Sequence, residues 1–470
     1  MRLQKNKMTE ESNGINLKLK AFNPQVFKAY DIRGLYPQEL DHNTSELIAY
    51  GFAEYLRQID PKPTCLLGKD VRESSEELLE LVREKLLSEG INVINIGLAT
   101  SPMFTFALAS SKVTGGLIVT ASHNSIQYNG FKLFKGADSL SEKHGLPEIK
   151  KIIESNVKIF PRERGSVKEE NYTAKYIDFL SSNSKIGRKI KAVFDPGGGS
   201  AGIILPGLLK RIKVEPFFSF LRSDPSLLMR EPNPLLSRAQ EKAREILLKE
   251  RAEVAFIYDP DADRVVLLDE KGKMIRGDGV LWLLANHLCE ENDAVVHDIL
   301  SSLALTEDLE SVKIRAIPSR VGHSFIKEAM RDNNAALGGE LSGHFYFKDF
   351  FYADSAFFAT IKIIEILSQS DKKLSEILAP YLRYYHSGEI DFKSEYKSKI
   401  IEILAEVYKD GEASRLDGLT VRYPSWWFNI RPSATEDALR LVFEAKNKEL
   451  FEQKKSELFD FLRSSGAELI

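Results

Sequence analysis

The chain has 470 residues, more than a single hydrophobic core usually supports, so its length alone predicts roughly three domains. Apolar residues make up 43% of the chain and charged residues 28%, which is the composition of an ordinary folded protein and excludes a disordered or fibrous one. The formal net charge of −3 argues against a nucleic-acid-binding protein, which normally carries a basic surplus.

Cysteine usage and hydropathy predict a cytoplasmic protein. The two cysteines, Cys65 and Cys289, cannot build a disulfide framework or a CxxC zinc site. The first 23 residues are polar and charged and lack the apolar core of a signal peptide. The longest apolar stretch, which begins at Val280, is far shorter than the ~20 residues that a bilayer-spanning helix needs. We therefore expect no membrane span.

A recurring pattern predicts an α/β fold. Apolar runs of strand length, such as Thr64–Leu67, Gly116–Thr120 and Val254–Tyr258, end in polar or glycine-rich residues and lead into helix-like sequence. The segments Ser74–Ser88 and Ser237–Glu250 carry the apolar stripe of an amphipathic helix. Alternation of this kind places functional loops at the carboxyl ends of the strands.

Polar stretches and turns divide the chain into four predicted units. The candidate boundaries are a polar stretch at 161–170, a turn at 270–278 and the segment near His386. They predict three α/β domains at 1–168, 169–273 and 274–384, and a smaller domain at 385–470. The polar segment before Phe27 is interpreted as a tail.

The first motif with a chemical interpretation is Thr120-Ala121-Ser122-His123-Asn124, directly after a predicted strand. A serine in that position can present its hydroxyl as a nucleophile. No Gly-x-Ser-x-Gly elbow surrounds Ser122, so a hydrolase of that kind is disfavoured. The alternative is that Ser122 only caps a following helix.

The second motif is Asp259-Pro260-Asp261-Ala262-Asp263-Arg264, after the apolar strand at 254–258. Three carboxylates at alternating positions can converge on one hard cation. An EF-hand is excluded because Arg264 stands where that loop needs glycine. A solvated acidic turn is the alternative that stays open.

Two further motifs fit the binding of a ligand with hydroxyl groups and of a phosphate. Gly338–His344 combines small residues with a carboxylate and an imidazole that can bond hydroxyls, although a helix-to-strand turn with incidental polar residues fits equally well. Arg431–Glu436 offers a guanidinium and two hydroxyls for a phosphate dianion, or alternatively a helix N-terminus capped by Ser433 or Thr435. Asp195–Gly199 lacks the GK[ST] of a P-loop and is interpreted as a tight turn.

Taken in order, these segments resemble the α-D-phosphohexomutase superfamily, and within it the bacterial-type phosphomannomutase/phosphoglucomutase group. The resemblance runs from about Phe27 to Val442, and it is carried by four motifs in the family's order and approximate spacing. It implies three related α/β domains with mixed sheets and a smaller α+β C-terminal domain around a central cleft. It also implies a hexose 1-phosphate/6-phosphate mutase for mannose or glucose.

The resemblance assigns roles by matched position. Ser122 would carry a phosphoryl group, and together with three aspartates it would bind Mg²⁺; the aspartates are Asp259, Asp261 and Asp263. Catalysis would also involve Arg33, Lys132 and His344. The residues implied to bind substrate are Tyr30, His123, Asn124, Arg264, Gly322, His323, Glu340, Ser342, Arg431, Ser433 and Thr435.

The implied reaction passes through a phosphoserine and a hexose 1,6-bisphosphate, which also serves as activator. Phosphate-monoester transfer has a high barrier, which a cation with Lys and Arg can lower by spreading charge. The implied partners are small sugar phosphates, with neither nucleic acid nor membrane, and the implied assembly is a monomer or homodimer.

Four positions depart from the family's pattern. Ser125 stands where proline is usual, Ala434 replaces an asparagine of the phosphate clamp, and Leu300 lies where a basic residue is common. Leu341 differs from the glutamine that often marks glucosamine-phosphate mutases, which favours mannose and glucose phosphates. Phosphoglucosamine mutase or another sugar-phosphate mutase, a phosphatase with Asp259 as nucleophile, and a non-catalytic sugar-phosphate-binding protein are the alternatives.

Overall fold

The computed structural model describes residues 22–155, 162–433 and 438–470, and the backbone of residues 15–16 and 158–159. Most strands belong to four sheets, and each sheet with its helices is called a unit below, numbered in chain order. Most of the segment interpreted as a tail, and both Ala434 and Thr435, lie outside the described residues.

The first unit carries a seven-stranded mixed sheet and a separate two-stranded pair, β1 with β8. Its elements are β1 (Ile15–Asn16), β2 (Ile32–Leu35), α1 (His42–Ile59), β3 (Thr64–Lys69), α2 (Glu73–Ser88), β4 (Asn92–Leu98), α3 (Ser101–Ser110), β5 (Gly115–Val119), β6 (Tyr128–Lys135), β7 (Asp138–Ser139), α4 (Leu146–Glu154), β8 (Lys158–Ile159) and β9 (Val167–Glu169).

The second and third units each carry a five-stranded mixed sheet. The second consists of α5 (Thr173–Ser182), β10 (Ile190–Asp195), α6 (Leu205–Leu209), β11 (Val214–Phe218), α7 (Ser237–Glu250), β12 (Val254–Tyr258), β13 (Val265–Asp269) and β14 (Met274–Ile275). The third consists of α8 (Gly277–Leu288), β15 (Ala294–Asp298), α9 (Leu303–Ser311), β16 (Arg315–Ser319), α10 (His323–Asp332), β17 (Leu337–Gly339), β18 (Phe345–Phe347), β19 (Ala353–Asp354), α11 (Ala356–Ser368) and α12 (Leu374–Leu378).

The fourth unit has an antiparallel sheet with two helices. It consists of β20 (Tyr385–His386), β21 (Ile390–Lys393), α13 (Lys397–Val407), β22 (Glu412–Ser414), β23 (Leu419–Tyr423), β24 (Trp426–Pro432), β25 (Leu439–Ala445), α14 (Lys448–Ser464) and β26 (Glu468–Leu469). The predicted fold class, three related α/β units and a smaller α+β unit, is confirmed. Among the described residues, no helix has both the length and the apolar character needed to cross a membrane.

The first three sheets share one topology. In the second and third, the first strand lies between two parallel neighbours, and the next strand is antiparallel: β11-β10-β12-β13 and β16-β15-β17-β18. The first sheet repeats this order as β4-β3-β5-β6. The loops that follow β5, β12 and β17 therefore occupy equivalent places, each where the chain reverses direction.

The buried strands explain why the apolar runs in the sequence are continuous. Every residue of β5 and of β12 is buried, because helices cover both faces of these mostly parallel sheets. In α2, the apolar stripe of Leu78, Val82 and Leu86 faces the core. Glu73 and Glu76 lie in the first turn, where their negative charge interacts favourably with the positive end of the helix dipole. These elements place the strand ends that carry the motifs.

One apolar core runs through the first three units. It contains Phe104 of α3, Tyr176 of α5, Tyr258 of β12 and Phe357 of α11. The Tyr258 hydroxyl and Thr360 Oγ1 of the third unit are hydrogen-bonded at 2.8 Å, so even the polar atoms of this core link two units. The fourth unit has a core of its own, which includes Phe428, Leu441 and Leu462.

The fourth unit contacts the third through a small apolar cluster. Ile299 and Leu300, at the end of β15, pack with Trp427 of β24 and Val442 of β25. Beside this cluster the Trp427 indole N–H and the Leu303 backbone N–H both donate to Glu444 Oε2, each at 2.9 Å. Leu300 is thus a buried apolar contact between units.

Leu281→Ala is expected to lower the free energy of unfolding by about 2–5 kcal/mol, because Leu281 is fully buried on α8 beneath Gly339 and its removal leaves a cavity. Chemical denaturation followed by circular dichroism measures the change. The matched control is Leu248→Ala on α7, where 51% of the leucine is exposed, and it should stay within about 0.5 kcal/mol of the unaltered protein. Equal effects of both variants would contradict this description of the core.

Candidate active site

Ser122 lies in the turn that joins β5 to β6, with a left-handed φ of 49°. Its side chain is buried, and its hydroxyl donates to Asp259 Oδ2 at 3.2 Å and contacts His123 Nδ1 at 3.3 Å. The turn runs into a strand, so the alternative that Ser122 caps a following helix is wrong. The backbone conformation of Ser122 is uncommon for a residue with a side chain, and strain of this kind concentrates at functional sites.

Arg72, which the sequence analysis did not single out, holds this turn in place. Its guanidinium donates to the carbonyl oxygens of Ser122 and Asn124, each at 2.7 Å, and of Ser125 at 2.8 Å, and Asp70 pairs with it at 3.1 Å. Arg72 is almost completely buried. The sequence did place Asp70 at a strand end, but nothing in it shows that Arg72 reaches a turn about fifty residues away.

The acidic motif forms a buried loop directly after β12. Side-chain oxygens of Asp259, Asp261 and Asp263 all lie within 4.8 Å of one another. All three residues are buried, so the alternative of a solvated acidic turn is wrong. The glycine turn at 195–199 supports the loop: a Cβ on Gly199 would lie 2.7 Å from Pro260, so only glycine permits this close approach.

Lys132 of β6 provides a cation beside these carboxylates. Its Nζ lies 2.7 Å from Asp261 Oδ2 and 2.7 Å from Asp263 Oδ2. Burial opposes the charge on Lys132, but the two aspartates outweigh it and raise the pKa of Lys132, which is therefore protonated. Ser101, which the sequence analysis did not identify, donates from its hydroxyl to Asp261 Oδ2 at 2.7 Å.

One oxygen of this loop, Asp261 Oδ1, has no hydrogen-bond donor among the described residues. This oxygen is buried, although Asp261 Oδ2 has several donors. Burial and the repulsion of Asp263 and Asp261 raise the pKa of Asp259 well above its ordinary value. An unsatisfied carboxylate oxygen among three converging acids fits a hard divalent cation with oxygen ligands.

The 340–344 turn follows β17 and faces the aspartate loop. It joins two strands, β17 and β18, so the alternative of a helix-to-strand turn is wrong. Glu340 accepts from the Gly322 backbone N–H at 2.7 Å and the Tyr346 hydroxyl at 2.6 Å. The backbone of His344 pairs with that of Arg264, which brings this turn against the aspartate loop.

His344 stands between the carboxylates of two units. Its Nδ1 lies 3.1 Å from Glu340 Oε2 and 2.9 Å from Ser342 Oγ, and its Nε2 lies 3.4 Å from Asp263 Oδ1 and 3.2 Å from Arg264 Nε. Burial and Arg264 lower the pKa of His344, but Asp263 and Glu340 outweigh them and raise it to about 9. His344 is therefore a cation near neutral pH.

The first and third units also meet at Tyr30 and His323. Their rings contact edge to face with centroids 4.6 Å apart. Both ring nitrogens of His323 are buried and have no hydrogen-bond partner in the described structure, and burial lowers the pKa of His323 well below its ordinary value. Gly322 has a φ of 127°, which favours glycine, and a Cβ there would lie 3.3 Å from the Tyr30 ring.

Arg33 joins the same group from β2. It donates to Asn124 Oδ1 at 2.8 Å and forms an ion pair with Asp31. Burial opposes its charge, but Asp31 outweighs burial and raises the pKa of Arg33. The structure thus brings together the predicted site residues of the first three units.

The fourth motif lies in the fourth unit. Arg431 is in β24, is buried, and donates to Glu389 Oε2 at 2.7 Å. The Ser433 backbone N–H donates to the carbonyl oxygen of Ala438 at 2.8 Å, between the ends of β24 and β25. Because Arg431 pairs with Arg440 across these two strands, the motif starts inside a sheet. A helix capped by Ser433 or Thr435 would begin in residues 434–437, so that alternative stays open. Thr435 lies outside the described residues.

Four family models match the chain in order, and together they cover most of it. They are the α/β/α domains I, II and III and the C-terminal domain of phosphoglucomutase/phosphomannomutase, at residues 24–159, 172–272, 276–384 and 387–461. The chain therefore belongs to the phosphoglucomutase/phosphomannomutase family. It is an enzyme of phosphoryl transfer within hexose phosphates, a hexose-phosphate mutase.

Relatives match this chain over nearly its full length. A phosphomannomutase of Vibrio cholerae is 34% identical, over 93% of this chain and 98% of that protein. A phosphomannomutase of Methanocaldococcus jannaschii is 33% identical, over 94% and 99%. Among solved structures, a phosphoglucomutase/phosphomannomutase family protein from Burkholderia thailandensis superposes with a TM-score of 0.86 at 26% identity, over 96% of this chain and 100% of that one.

Arg72→Lys is expected to lower the free energy of unfolding by about 3–5 kcal/mol, because one ammonium cannot span Asp70 and the carbonyl oxygens that the guanidinium reaches, and buried acceptors are left without a donor. Denaturant titration measures the effect. Arg164→Lys, at an exposed pair with Glu84, is the control and should change little. A mild effect at Arg72 would show that the Ser122 turn does not depend on it.

The raised pKa of His344 predicts a pH-dependent contribution to stability. The charge on His344 stabilises the fold fully below its ordinary pKa of 6.5, and this stabilisation is lost as the pH rises through about 9. His344→Gln should therefore lower the free energy of unfolding of the metal-free protein by more near pH 6 than near pH 10, by about 3 kcal/mol.

The measurement is denaturant titration with a chelator present, since a cation on Asp263 would compete with His344. The exposed His144→Gln controls for the change of residue type. If His344→Gln destabilises the protein equally at both pH values, the ion pairs of His344 with Asp263 and Glu340 do not form in solution.

Proposed function

We propose that this enzyme interconverts the 1-phosphate and the 6-phosphate of mannose or glucose through a phosphoserine at Ser122 and a hexose 1,6-bisphosphate. The observation that carries the proposal is the contact between Ser122 Oγ and Asp259 Oδ2, in a buried site where Asp261 Oδ1 has no hydrogen-bond donor in the described part of the chain and Lys132 lies beside the carboxylates. A serine so placed can carry a phosphoryl group whose charge a bound cation offsets.

The cation that fits best is Mg²⁺. Carboxylate oxygens are its preferred protein ligands, and Asp259, Asp261 and Asp263 supply them together with an oxygen on Ser122. When bound, Mg²⁺ would neutralise charge on the transferring phosphoryl group. The buried and partner-free Asp261 Oδ1 is the structural support for a cation at this place.

Two transfers complete the reaction. In the first, the bond from phosphorus to Ser122 Oγ breaks as a bond to O6 of a hexose 1-phosphate forms, and the O6 proton passes to Ser122 Oγ. The resulting 1,6-bisphosphate turns over, so that its 1-phosphoryl group faces Ser122. In the second, the bond from phosphorus to O1 breaks as Ser122 Oγ takes that group, and the serine proton passes to O1 of the hexose 6-phosphate. A trace of free bisphosphate would restore the phosphoserine if it were lost, which explains the expected activation.

His123 is placed to accept the serine proton in the second transfer. Its Nδ1 lies 3.3 Å from Ser122 Oγ, which is near hydrogen-bonding distance. Burial, together with the cations Arg264 and Arg33, lowers the pKa of His123 well below its ordinary value, so the ring is neutral and can take a proton. Lys132 and Arg33 stay charged and would stabilise the phosphoryl oxygens.

The remaining residues would hold the sugar phosphate. Glu340 and Ser342 present a carboxylate and a hydroxyl that suit sugar hydroxyls, with His323 and Tyr30 nearby. Arg431, Ser433 and Thr435 would hold the phosphate that is not reacting. The substituted positions leave this arrangement intact where the structure describes them: Ser125 contributes its backbone carbonyl oxygen to Arg72, and Leu300 is buried against Trp427.

A phosphatase that uses Asp259 as nucleophile is less well supported. In such an enzyme the second aspartate, Asp261, would serve as acid and base, but its Oδ2 is bound by Lys132, Ser101 and Thr120. Such an enzyme would also leave Ser122 Oγ, which contacts Asp259 Oδ2, without a role. The cytoplasmic location and the monomer or homodimer stay predictions from the sequence.

Ser122→Ala is expected to lower the mutase rate more than about a thousandfold, because no other residue can carry the phosphoryl group in its place. Phosphorus NMR follows mannose 1-phosphate, glucose 1-phosphate and glucosamine 1-phosphate with Mg²⁺ and a trace of the matching 1,6-bisphosphate. The control is Ser125→Ala, in the same turn but with an exposed side chain, and it should stay active.

The outcomes separate the alternatives. Formation of the 6-phosphate by the unaltered enzyme supports a mutase, and the relative rates identify the sugar. Release of inorganic phosphate would favour the phosphatase, in which case hydroxylamine should cleave an acyl phosphate from Asp259. Full activity of Ser122→Ala would overturn the phosphoserine mechanism.

A further inference from the structure

The turn that follows β15, residues 298–303, lies directly behind the 340–344 turn. Asp298 is almost completely buried and connects the two. Its Oδ2 accepts from the Leu341 backbone N–H at 2.7 Å, and its Oδ1 accepts from the Leu300 N–H at 3.1 Å and the Ser301 hydroxyl at 2.9 Å. One carboxylate therefore fixes its own turn and the neighbouring one.

The bond to Leu341 is made at the centre of the 340–344 turn. Leu341 stands between Glu340 and Ser342, the two residues proposed to meet the sugar. The backbone of this turn is also confined from α8, because a Cβ on Gly277 would lie 2.2 Å from the carbonyl oxygen of Glu340. With the backbone held on both sides, the directions of the Glu340 and Ser342 side chains depend on where Asp298 holds Leu341.

The 298–303 turn is also the place where the fourth unit is bonded. His386 Nε2 lies 2.9 Å from the carbonyl oxygen of Leu300, and Glu444 Oε2 accepts from the Leu303 N–H at 2.9 Å. The turn that Asp298 organises thus contacts the 340–344 turn on one side and the fourth unit on the other.

We propose that Asp298 is a positioning residue of the mutase, which orients Glu340 and Ser342 toward the hexose through its hydrogen bond to the Leu341 backbone N–H. The proposal rests on the function proposed above. It assigns to Asp298 a role in recognising the hydroxyls of the sugar, although Asp298 itself does not touch the substrate.

The electrostatic setting makes a carboxylate at this position costly. Burial, and after it the facing carboxylates of Glu340 on the 340–344 turn and Asp278 on α8, raise the pKa of Asp298 to about 7, against the opposing bonds from Leu341 and Ser301. His297, beside it on β15, has its pKa lowered to about 4 by burial and is neutral near pH 7. The described donors to Asp298 are neutral N–H and O–H groups that engage both carboxylate oxygens, whereas the amide of asparagine accepts through one oxygen only.

The test compares Asp298→Asn with the unaltered enzyme in kcat/KM for the preferred hexose 1-phosphate, measured from about pH 6 to pH 8.5. The ratio of kcat/KM of the unaltered enzyme to that of the variant cancels the titration of the substrate phosphate and of groups that both enzymes share. We expect the unaltered enzyme to be on the order of tenfold better above pH 8, where Asp298 is ionised and accepts the bond fully. Near pH 6, where both side chains are neutral, the ratio should fall below about threefold.

Two further measurements separate positioning from a general loss of structure. Asp269→Asn is the matched control, because Asp269 is also a buried carboxylate that accepts backbone N–H groups, from Lys271 and Lys273, in a turn of the second unit. It should show a pH-independent ratio near one. Hydrogen exchange of peptides covering 337–347 should accelerate in Asp298→Asn and stay unchanged in Asp269→Asn.

A ratio near one for Asp298→Asn at every pH would overturn the proposal. If the unaltered enzyme is better than Asp298→Asn by a factor that does not vary with pH, and the variant has a lower melting temperature, the proposal is also overturned, because a purely structural role would explain both results. If the unaltered protein converts none of the hexose phosphates, the proposed function fails. In that case, hydrogen exchange at 337–347 that is faster in Asp298→Asn but not in Asp269→Asn would still show that Asp298 positions the 340–344 turn.

Discussion

The arrangement of the site depends on the repulsion between three buried carboxylates. Oxygens of Asp259, Asp261 and Asp263 within 4.8 Å of one another would force the loop open unless positive charge held them. Lys132 supplies one charge from the first unit, and Arg264 and His344 approach from the loop itself and from the third unit. The aspartate loop of the second unit is thus stabilised by cations from the first and third units, so the site forms only when the three units are packed together.

The shared topology of the first three units explains how their loops meet. The loops that carry Ser122, Asp259 and Glu340 each follow the strand after which the chain turns antiparallel. Equivalent places in three sheets therefore carry three different sets of side chains: a serine hydroxyl, a group of carboxylates, and a turn with a carboxylate, a hydroxyl and an imidazole. The fourth unit has another topology and contributes a strand end, at Arg431, instead of such a loop.

Strand-length apolar runs that end in polar residues predicted the α/β fold class and the loops of Ser122 and Asp259, because such runs mark the functional edge of an α/β sheet. Other residues of the candidate site, such as Arg33 and His323, were predicted only through the family resemblance. Contacts over long sequence separations could not be predicted in this way. Arg72 is the clearest case, since it reaches the Ser122 turn from the residue before α2, and the partners of Lys132 lie about 130 residues away. Two alternatives, a helix cap at Ser122 and a helix-to-strand turn at 338–344, failed because a serine or glycine near a strand end also fits a strand-to-strand turn.

The common core of the first three units also constrains how the chain folds during synthesis. Tyr258 and Phe357 stack within it, and the Tyr258 hydroxyl and Thr360 are hydrogen-bonded, so α11 covers apolar faces of the second unit. A nascent chain therefore exposes these faces until about three quarters of its length has left the ribosome. Exposed apolar surface of this kind is what chaperones bind and what aggregates. The fourth unit, which has a separate core, can fold last without disturbing the rest.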